Sequence, residues 1–248
     1  MSLLELKGIS KRFGGLMAVG NMSFALEKGE ILGLIGPNGA GKTTIFNLIN
    51  GYFSPTAGSI FFDGKRIDGA KPHVVCRLGL ARTFQVVKPL ARLTVLENVM
   101  ASAFCRTDHR EEARNMAIEA TAFAEMEDWR DRTAGSLPLG MRKRLEMARA
   151  LATKPQLLLL DENFAGLNPS EVEKTIEIVK KIHASGITIL IIEHNMRVIM
   201  AISHRLLCIN YGEKIAEGTP REVADNQQVI DAYLGVAGDR PPGGGAHA

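Results

Sequence analysis

Apolar and polar positions follow two rhythms along this chain. The run Ile31-Leu32-Gly33-Leu34-Ile35 is continuous and strand-length, the pattern of a strand buried on both faces of a parallel sheet. Thr44-Ile45-Phe46-Asn47-Leu48-Ile49 instead repeats its apolar residues with a helical period and stops near Gly51. The second half alternates regularly. It predicts a strand over Gln156–Leu160, a helix over Ser170–Ala184, a strand over Ile187–Ile192, a helix over Asn195–Ala201 and a strand over His204–Asn210, hence a parallel sheet covered by helices. Ser170-Glu171-Val172-Glu173 reads as an N-cap with Glu at the third position, and Ser185-Gly186 as the stop of that helix.

The first part reads differently. Residues 3–35 alternate short apolar runs with turns at Gly14-Gly15, Gly20 and Lys28-Gly29-Glu30, which predicts a small antiparallel sheet. Ser59-Ile60-Phe61-Phe62 ahead of Asp63-Gly64 is one more strand entering a turn. From about Leu93 to Asp131 the texture turns helical: a period begins at Thr94-Val95-Leu96-Glu97-Asn98-Val99 and runs from Arg110 to Trp129. A charged helix follows at Met141–Thr153, with Arg142, Lys143, Arg144, Glu146 and Arg149 read for the most part as a solvated face. The helical stretch, about residues 88–150, is expected as an insertion in one domain of residues 1–235. The tail 236–248, with Pro241-Pro242-Gly243-Gly244-Gly245 in it, is expected to be disordered.

With 248 residues, 46% of them apolar and 23% charged, the chain can bury a core unaided. Thirty basic against 27 acidic residues leave a net charge of +3, too balanced to argue for nucleic acid. Cys76, Cys105 and Cys208 lack metal-ligand spacing and read as buried thiols of a reduced compartment. The N-terminus has no basic stretch followed by a long apolar one, so no signal peptide is expected, and no apolar run approaches the ~20 residues of a membrane span. Work at a membrane would go through a partner.

The chemistry lies between the first strand and helix. Gly36-Pro37-Asn38-Gly39-Ala40-Gly41-Lys42-Thr43 is a complete G-x-x-x-x-G-K-[ST] loop. Glycines let the backbone curl close to an anion, and the N–H groups at the helix start favour phosphate. Lys42 can reach β- and γ-phosphates, and the Thr43 hydroxyl can ligate Mg²⁺. The chain is therefore expected to bind a nucleoside triphosphate. Far downstream, Leu157-Leu158-Leu159-Leu160 ends in Asp161-Glu162. Ligands of open parallel sheets sit beyond the C-terminal strand ends. There Asp161 can hold Mg²⁺ through water and Glu162 can polarise the attacking water; alone, the pair would be no more than a strand reaching the surface. Ile189-Leu190-Ile191-Ile192 followed by Glu193-His194 repeats the geometry, and a neutral His194 imidazole there can sense the γ-phosphate, although a lone His at a strand end is usually structural.

Taken in order, these segments resemble the ATP-binding subunit of an ATP-binding cassette (ABC) transporter, over about residues 3–235. The family's phosphate loop matches Gly36–Thr44, Thr44 included. Its glutamine loop matches Ala81-Arg82-Thr83-Phe84-Gln85, its D-loop Ala165-Gly166-Leu167-Asn168-Pro169, and its switch histidine His194. The resemblance implies an α/β P-loop NTPase core with a mostly parallel sheet, an N-terminal antiparallel β subdomain and an inserted α-helical subdomain. It implies that Gln85 contacts Mg²⁺ and the attacking water and couples the site to membrane subunits, and that Phe13 stacks on adenine; Phe13 as a core residue stays open. ATP and Mg²⁺ are the implied cofactors. Within the family the chain is most similar to the larger ATPase subunit of branched-chain amino acid importers, through Lys11–Val19, Ala165–Pro169, Ile192–Met196 and Ala232-Tyr233-Leu234-Gly235. Implied partners are a second ATPase subunit, integral-membrane permease subunits and, indirectly, a periplasmic solute-binding protein, with no nucleic acid. The implied location is peripheral, on the cytoplasmic face of the cell membrane.

Two departures stand out. The family signature, usually Leu-Ser-Gly-Gly-Gln, aligns with Leu137-Pro138-Leu139-Gly140-Met141. Pro138 has neither hydroxyl nor N–H, so a nucleotide on the facing subunit would lose hydrogen bonds worth roughly 1.5–3 kcal/mol when charge-assisted. A heterodimer with a different ATPase subunit would then have one strong and one weak site. Asn163 stands where proline is usual and carries little weight. The alternatives are the same engine for urea, amides or lipopolysaccharide, a soluble cassette acting on ribosomes or DNA, and a regulatory nucleotide-binding module.

Overall fold

The structure is a computed structural model that describes residues 2–85 and 87–234. The tail expected over 236–248 lies outside the described residues. Strands β1 (Ser2–Phe13) and β2 (Leu16–Glu27) form a hairpin, and β3 (Ile31–Ile35) leads through the glycine loop into α1 (Lys42–Ile49). Then come β4 (Ala57–Phe62), β5 (Lys65–Arg66), α2 (Pro72–Leu78), β6 (Leu80–Arg82), α3 (Val95–Ala103), α4 (Arg110–Phe123) and α5 (Leu139–Leu151). The alternating half follows as β7 (Leu157–Asp161), α6 (Pro169–Ala184), β8 (Thr188–Ile192), α7 (Met196–Ile202) and β9 (Arg205–Asn210). The described chain ends with β10 (Glu213–Gly218), α8 (Pro220–Ala224) and α9 (Gln227–Leu234).

Two sheets result. One is antiparallel in the order β2-β1-β4-β5; the other runs β10-β9-β3-β8-β7-β6 and is parallel except for its β9–β10 edge. Residues 31–35 thus leave the antiparallel region for the centre of the parallel sheet, where all five are buried. Side-chain alternation splits the core in two. Leu32, Leu34, Leu159, Leu190 and Leu207 face α1 and the antiparallel sheet, while Ile31, Ile35, Leu158, Ile189 and Leu206 face α6, α7 and the helical region. This sandwich holds the C-terminal ends of β3, β7 and β8 side by side.

Several expectations need correction. Gly20 lies inside β2 and makes no turn; its N–H donates to the Gly212 carbonyl 3.0 Å away, so its backbone is tied across to the β9–β10 turn. The cap of α6 is Asn168, not Ser170, and Glu171 closes the capping box. Pro169 at the first helical position favours that earlier start. The helical period from Arg110 stops at Phe123 because Glu125 turns left-handed, with φ 53°, before a short 3₁₀ turn at Glu127–Trp129. The face of α5 read as solvated is only partly so: Lys143 and Glu146 are buried. Of the three thiols only Cys208 is buried; Cys76 and Cys105 are half-buried.

Candidate nucleotide site

The glycine loop leaves β3 at Gly36 and curls back under α1. Gly41, with φ 105°, occupies the N-cap position, and no side chain caps the first turn of α1. A Cβ on Gly41 would lie 2.6 Å from the Ala18 carbonyl, so only glycine allows this approach of loop to β2. Inside the curl, Lys42 donates from Nζ to the carbonyls of Gly36 (2.6 Å) and Pro37 (2.8 Å). Burial pushes this ammonium below its ordinary range, and Glu162, Cys208 and Asp161 pull it back. Ala40 is buried, whereas Asn38, Gly39 and Thr43 face outward. Thr44 is half-buried at the start of α1.

The carboxylates of β7 meet this loop from the side. Asp161 is almost fully buried, and its Oδ2 accepts from Arg82 Nη2 at 2.7 Å. Glu162 sits one residue beyond the strand with φ 49°, an uncommon conformation for a side-chain-bearing residue. Its N–H donates to the Ile192 carbonyl of β8 (3.0 Å), and its carbonyl accepts from Lys143 Nζ (3.0 Å). That turn aims the carboxylate outward: Oε2 accepts from Gln85 Nε2 at 2.5 Å, and Oε1 is 2.9 Å from His194 Nε2. Thr43, Arg82, Gln85 and Asp161 line one cleft of about 460 Å³. Lys42, Gln85, Asp161, Glu162 and His194, assigned from far-separated stretches, therefore converge.

Phe13 stands apart at the β1–β2 turn, 40% exposed, edge-on to Phe53 at 5.1 Å with Lys11 Nζ over the ring. At that exposure Phe13 is not a core residue. The aligned signature opens α5: Pro138 is the N-cap and provides no side-chain cap, while Leu139 is exposed. Leu139 Cδ2 would be 2.9 Å from a Cβ on Gly166, so the side chain rests on the D-loop glycine.

Four residues of this neighbourhood carried no expected role. Arg82 is a buried counter-ion of Asp161 and also donates to Asn47 Oδ1 at 2.6 Å. Lys143 bridges the Gln85 and Glu162 carbonyls, at 3.2 and 3.0 Å. Its spacing from Gly140, Met147 and Ala150, all buried, would have placed it on the inner stripe of α5. Asn163, discounted above, is fully buried and accepts a 2.5 Å bond from Thr83 Oγ1 that ties the ends of β6 and β7. Tyr233 accepts from the Gly36 N–H.

Glu193, next to His194, is buried, and its Oε1 accepts from the Phe164 N–H at 2.9 Å. Burial pushes its carboxyl up from 4.5 to about 7, against the Phe164 and His194 amides and Lys143. The native state keeps a proton there that the unfolded chain has already released. Stability should therefore fall as pH rises from about 4.5 to about 7, by about 3 kcal/mol, and stay level above. Glu193→Gln keeps an acceptor for Phe164. It should flatten the profile and unfold at a higher temperature than the parent at about pH 8; an unaltered slope across that range would show that Glu193 titrates normally.

Comparison with known proteins sharpens these observations. The ABC transporter family model matches residues 19–165. A second model, the branched-chain amino acid ATP-binding cassette transporter, matches residues 213–239. The high-affinity branched-chain amino acid transport ATP-binding protein BraF of Pseudomonas aeruginosa is 38% identical over 253 residues, covering 95% of this chain and 98% of BraF. The lipopolysaccharide export system ATP-binding protein LptB of Escherichia coli is 38% identical over 236 residues, covering 95% and 98%. Among solved structures, the ADP conformation of an ATP-binding cassette of an ABC transporter superposes with a TM-score of 0.87 at 31% identity, covering 95% of this chain and 99% of that one.

Proposed function

The chain belongs to the ABC transporter family, as a transport ATPase, and we propose that within it the chain powers uptake of branched-chain amino acids with Mg·ATP. The observation that carries the catalytic part is the convergence of Gln85 and His194 on the two oxygens of Glu162, beside the loop that holds Lys42. The loop fits a triphosphate: its glycine approach would be blocked by any Cβ at Gly41, and the first N–H groups of α1 have no side-chain cap. Thr43 and Asp161 offer the hard oxygen donors that Mg²⁺ prefers. Among the described residues no group of three or more His, Cys, Asp or Glu could cage an ion. A divalent cation would thus share the phosphate oxygens, and bound there it would neutralise their charge.

The protein's own groups do the rest. Lys42 exchanges the Gly36 and Pro37 carbonyls for phosphate oxygens; Glu162 polarises a water, with Gln85 and His194 orienting it; Phe13 offers its ring to adenine. Phe84, beside Gln85, and Leu90 and Leu93, a few residues on in sequence, are exposed apolar residues, the kind of surface on which permease helices dock. No helix among the described residues is long and apolar enough to cross a membrane, so attachment to the cytoplasmic face would run through those subunits. The Pro138 cap of α5 weakens whatever nucleotide faces it, which favours a partner ATPase of different sequence with an intact signature.

The test is reconstitution with the membrane subunits and binding protein. Leucine with its binding protein should stimulate ATP hydrolysis and drive ATP-dependent leucine uptake, and the chain alone should turn over at least tenfold more slowly than with its partner ATPase. Full activity as a homodimer would remove the heterodimer. The same 38% identity to LptB, over a somewhat shorter span, keeps lipopolysaccharide as the second reading. Stimulation by lipopolysaccharide and not by amino acid would establish it in place of the first.

A further inference from the structure

Gly36 is where β3 leaves the sheet. The ladder between β3 and β9 ends at the pair Ile35 and Cys208, and a Cβ on Gly36 would lie 2.1 Å from the Ile209 carbonyl, so the backbone here is wedged against β9. A buried N–H beyond the last ladder bond needs an acceptor from elsewhere. It comes from α9: the Tyr233 phenol oxygen accepts from the Gly36 N–H at 2.8 Å. The Gly36 carbonyl, in turn, accepts from Lys42 Nζ at 2.6 Å. One loop residue is thus gripped at its N–H by the C-terminal helix and at its C=O by the phosphate-binding lysine. Burial pushes the phenol up, so it stays protonated and neutral. Leu234 is the next residue. Both residues end α9 exposed, Tyr233 at 42% and Leu234 at 72%, and it is the phenol oxygen of Tyr233 that reaches the loop.

We propose that Tyr233 is a positioning residue for the nucleotide: its phenol oxygen fixes the first residue of the phosphate loop, and through it α9 sets how tightly the loop holds phosphate. The proposal rests on the loop being the nucleotide site. Tyr233 touches no reacting atom, so its loss should weaken binding and spare chemistry. Tyr233→Phe keeps the ring and strands only the Gly36 N–H.

The experiment measures fluorescent ATP-analogue binding, steady-state hydrolysis in the assembled transporter, and amide hydrogen exchange across residues 36–42. In Tyr233→Phe the Kd and KM should rise roughly tenfold, kcat should stay within about twofold, and exchange at the loop should quicken. Leu234→Ala should leave all three at parental values. A Kd within about twofold of the parent, or a fall in kcat at constant KM, would overturn the proposal. So would a drop in melting temperature with unaltered Kd, which marks packing alone. Should Tyr233→Phe fold poorly, replacing the Tyr233 phenol by 3-fluorotyrosine keeps the shape with a weaker acceptor; its Kd should rise by a smaller factor, and an unmoved Kd is again fatal. If the parent itself binds no nucleotide, the site reading fails and not this role.

Discussion

Replacing Glu162 by glutamine should lower ATP turnover by about 10²–10³-fold while leaving nucleotide affinity within a few-fold of the parent. The side chain sits at a left-handed turn with φ 49°, fixed through its N–H to Ile192 and its carbonyl to Lys143. Those backbone bonds do not depend on the side chain, so the substituted amide would occupy the same place. It can also satisfy the same neighbours, its amide oxygen accepting from Gln85 and its NH₂ facing His194 Nε2. What it cannot do is take a proton or polarise a water as a carboxylate does. The measurement is steady-state hydrolysis in the assembled transporter, paired with equilibrium binding. Hydrolysis at the parental rate would remove Glu162 from the role of base; a large loss of binding would show that the carboxylate holds the site's shape instead.

Most of the frame that places Glu162 was legible, and what was not has a physical explanation. Continuous apolar runs such as Ile31–Ile35 and Leu157–Leu160 announce strands buried on both faces, and a glycine loop between strand and helix has few other uses. Local chemistry failed where long-range pairing decided. Gly20 looks like a turn, but Gly212, far along the chain, holds it in a strand. Ser170 and Asn168 are both good caps, and Pro169 settled the choice two residues earlier. Charged residues were the harder case. Lys143 and Glu146 sit among half-buried charges in sequence, and only the register of the buried stripe distinguishes them from Arg142. Tyr233 had no local signal at all, since its partner is the backbone of a loop about two hundred residues away. Arg82 belongs to the same class: a strand residue whose meaning lies in the carboxylate of the neighbouring strand.

That buried pair carries the second large effect. The Arg82 and Asp161 side chains are 6% and 4% exposed and joined at 2.7 Å. The guanidinium also donates to Asn47 and lies over the rings of Phe46 and Phe84, at 5.6 and 5.3 Å. Arg82→Met should cost about 3–5 kcal/mol, because it leaves the Asp161 carboxylate in a low-dielectric pocket with its close counter-ion gone and Glu162 next in sequence. For a domain of this size that corresponds to a fall in melting temperature of roughly 10 °C. Asp161→Asn alone should also destabilise, since it strands the guanidinium instead. The double variant should be less damaged than the sum of the two, by about 1–3 kcal/mol, as each change removes the charge the other exposed. Thermal and denaturant unfolding of the four proteins closes the cycle. Strict additivity would mean that the pair is solvated in solution and that Asn47 and the two phenylalanine rings, not Asp161, hold Arg82 in place.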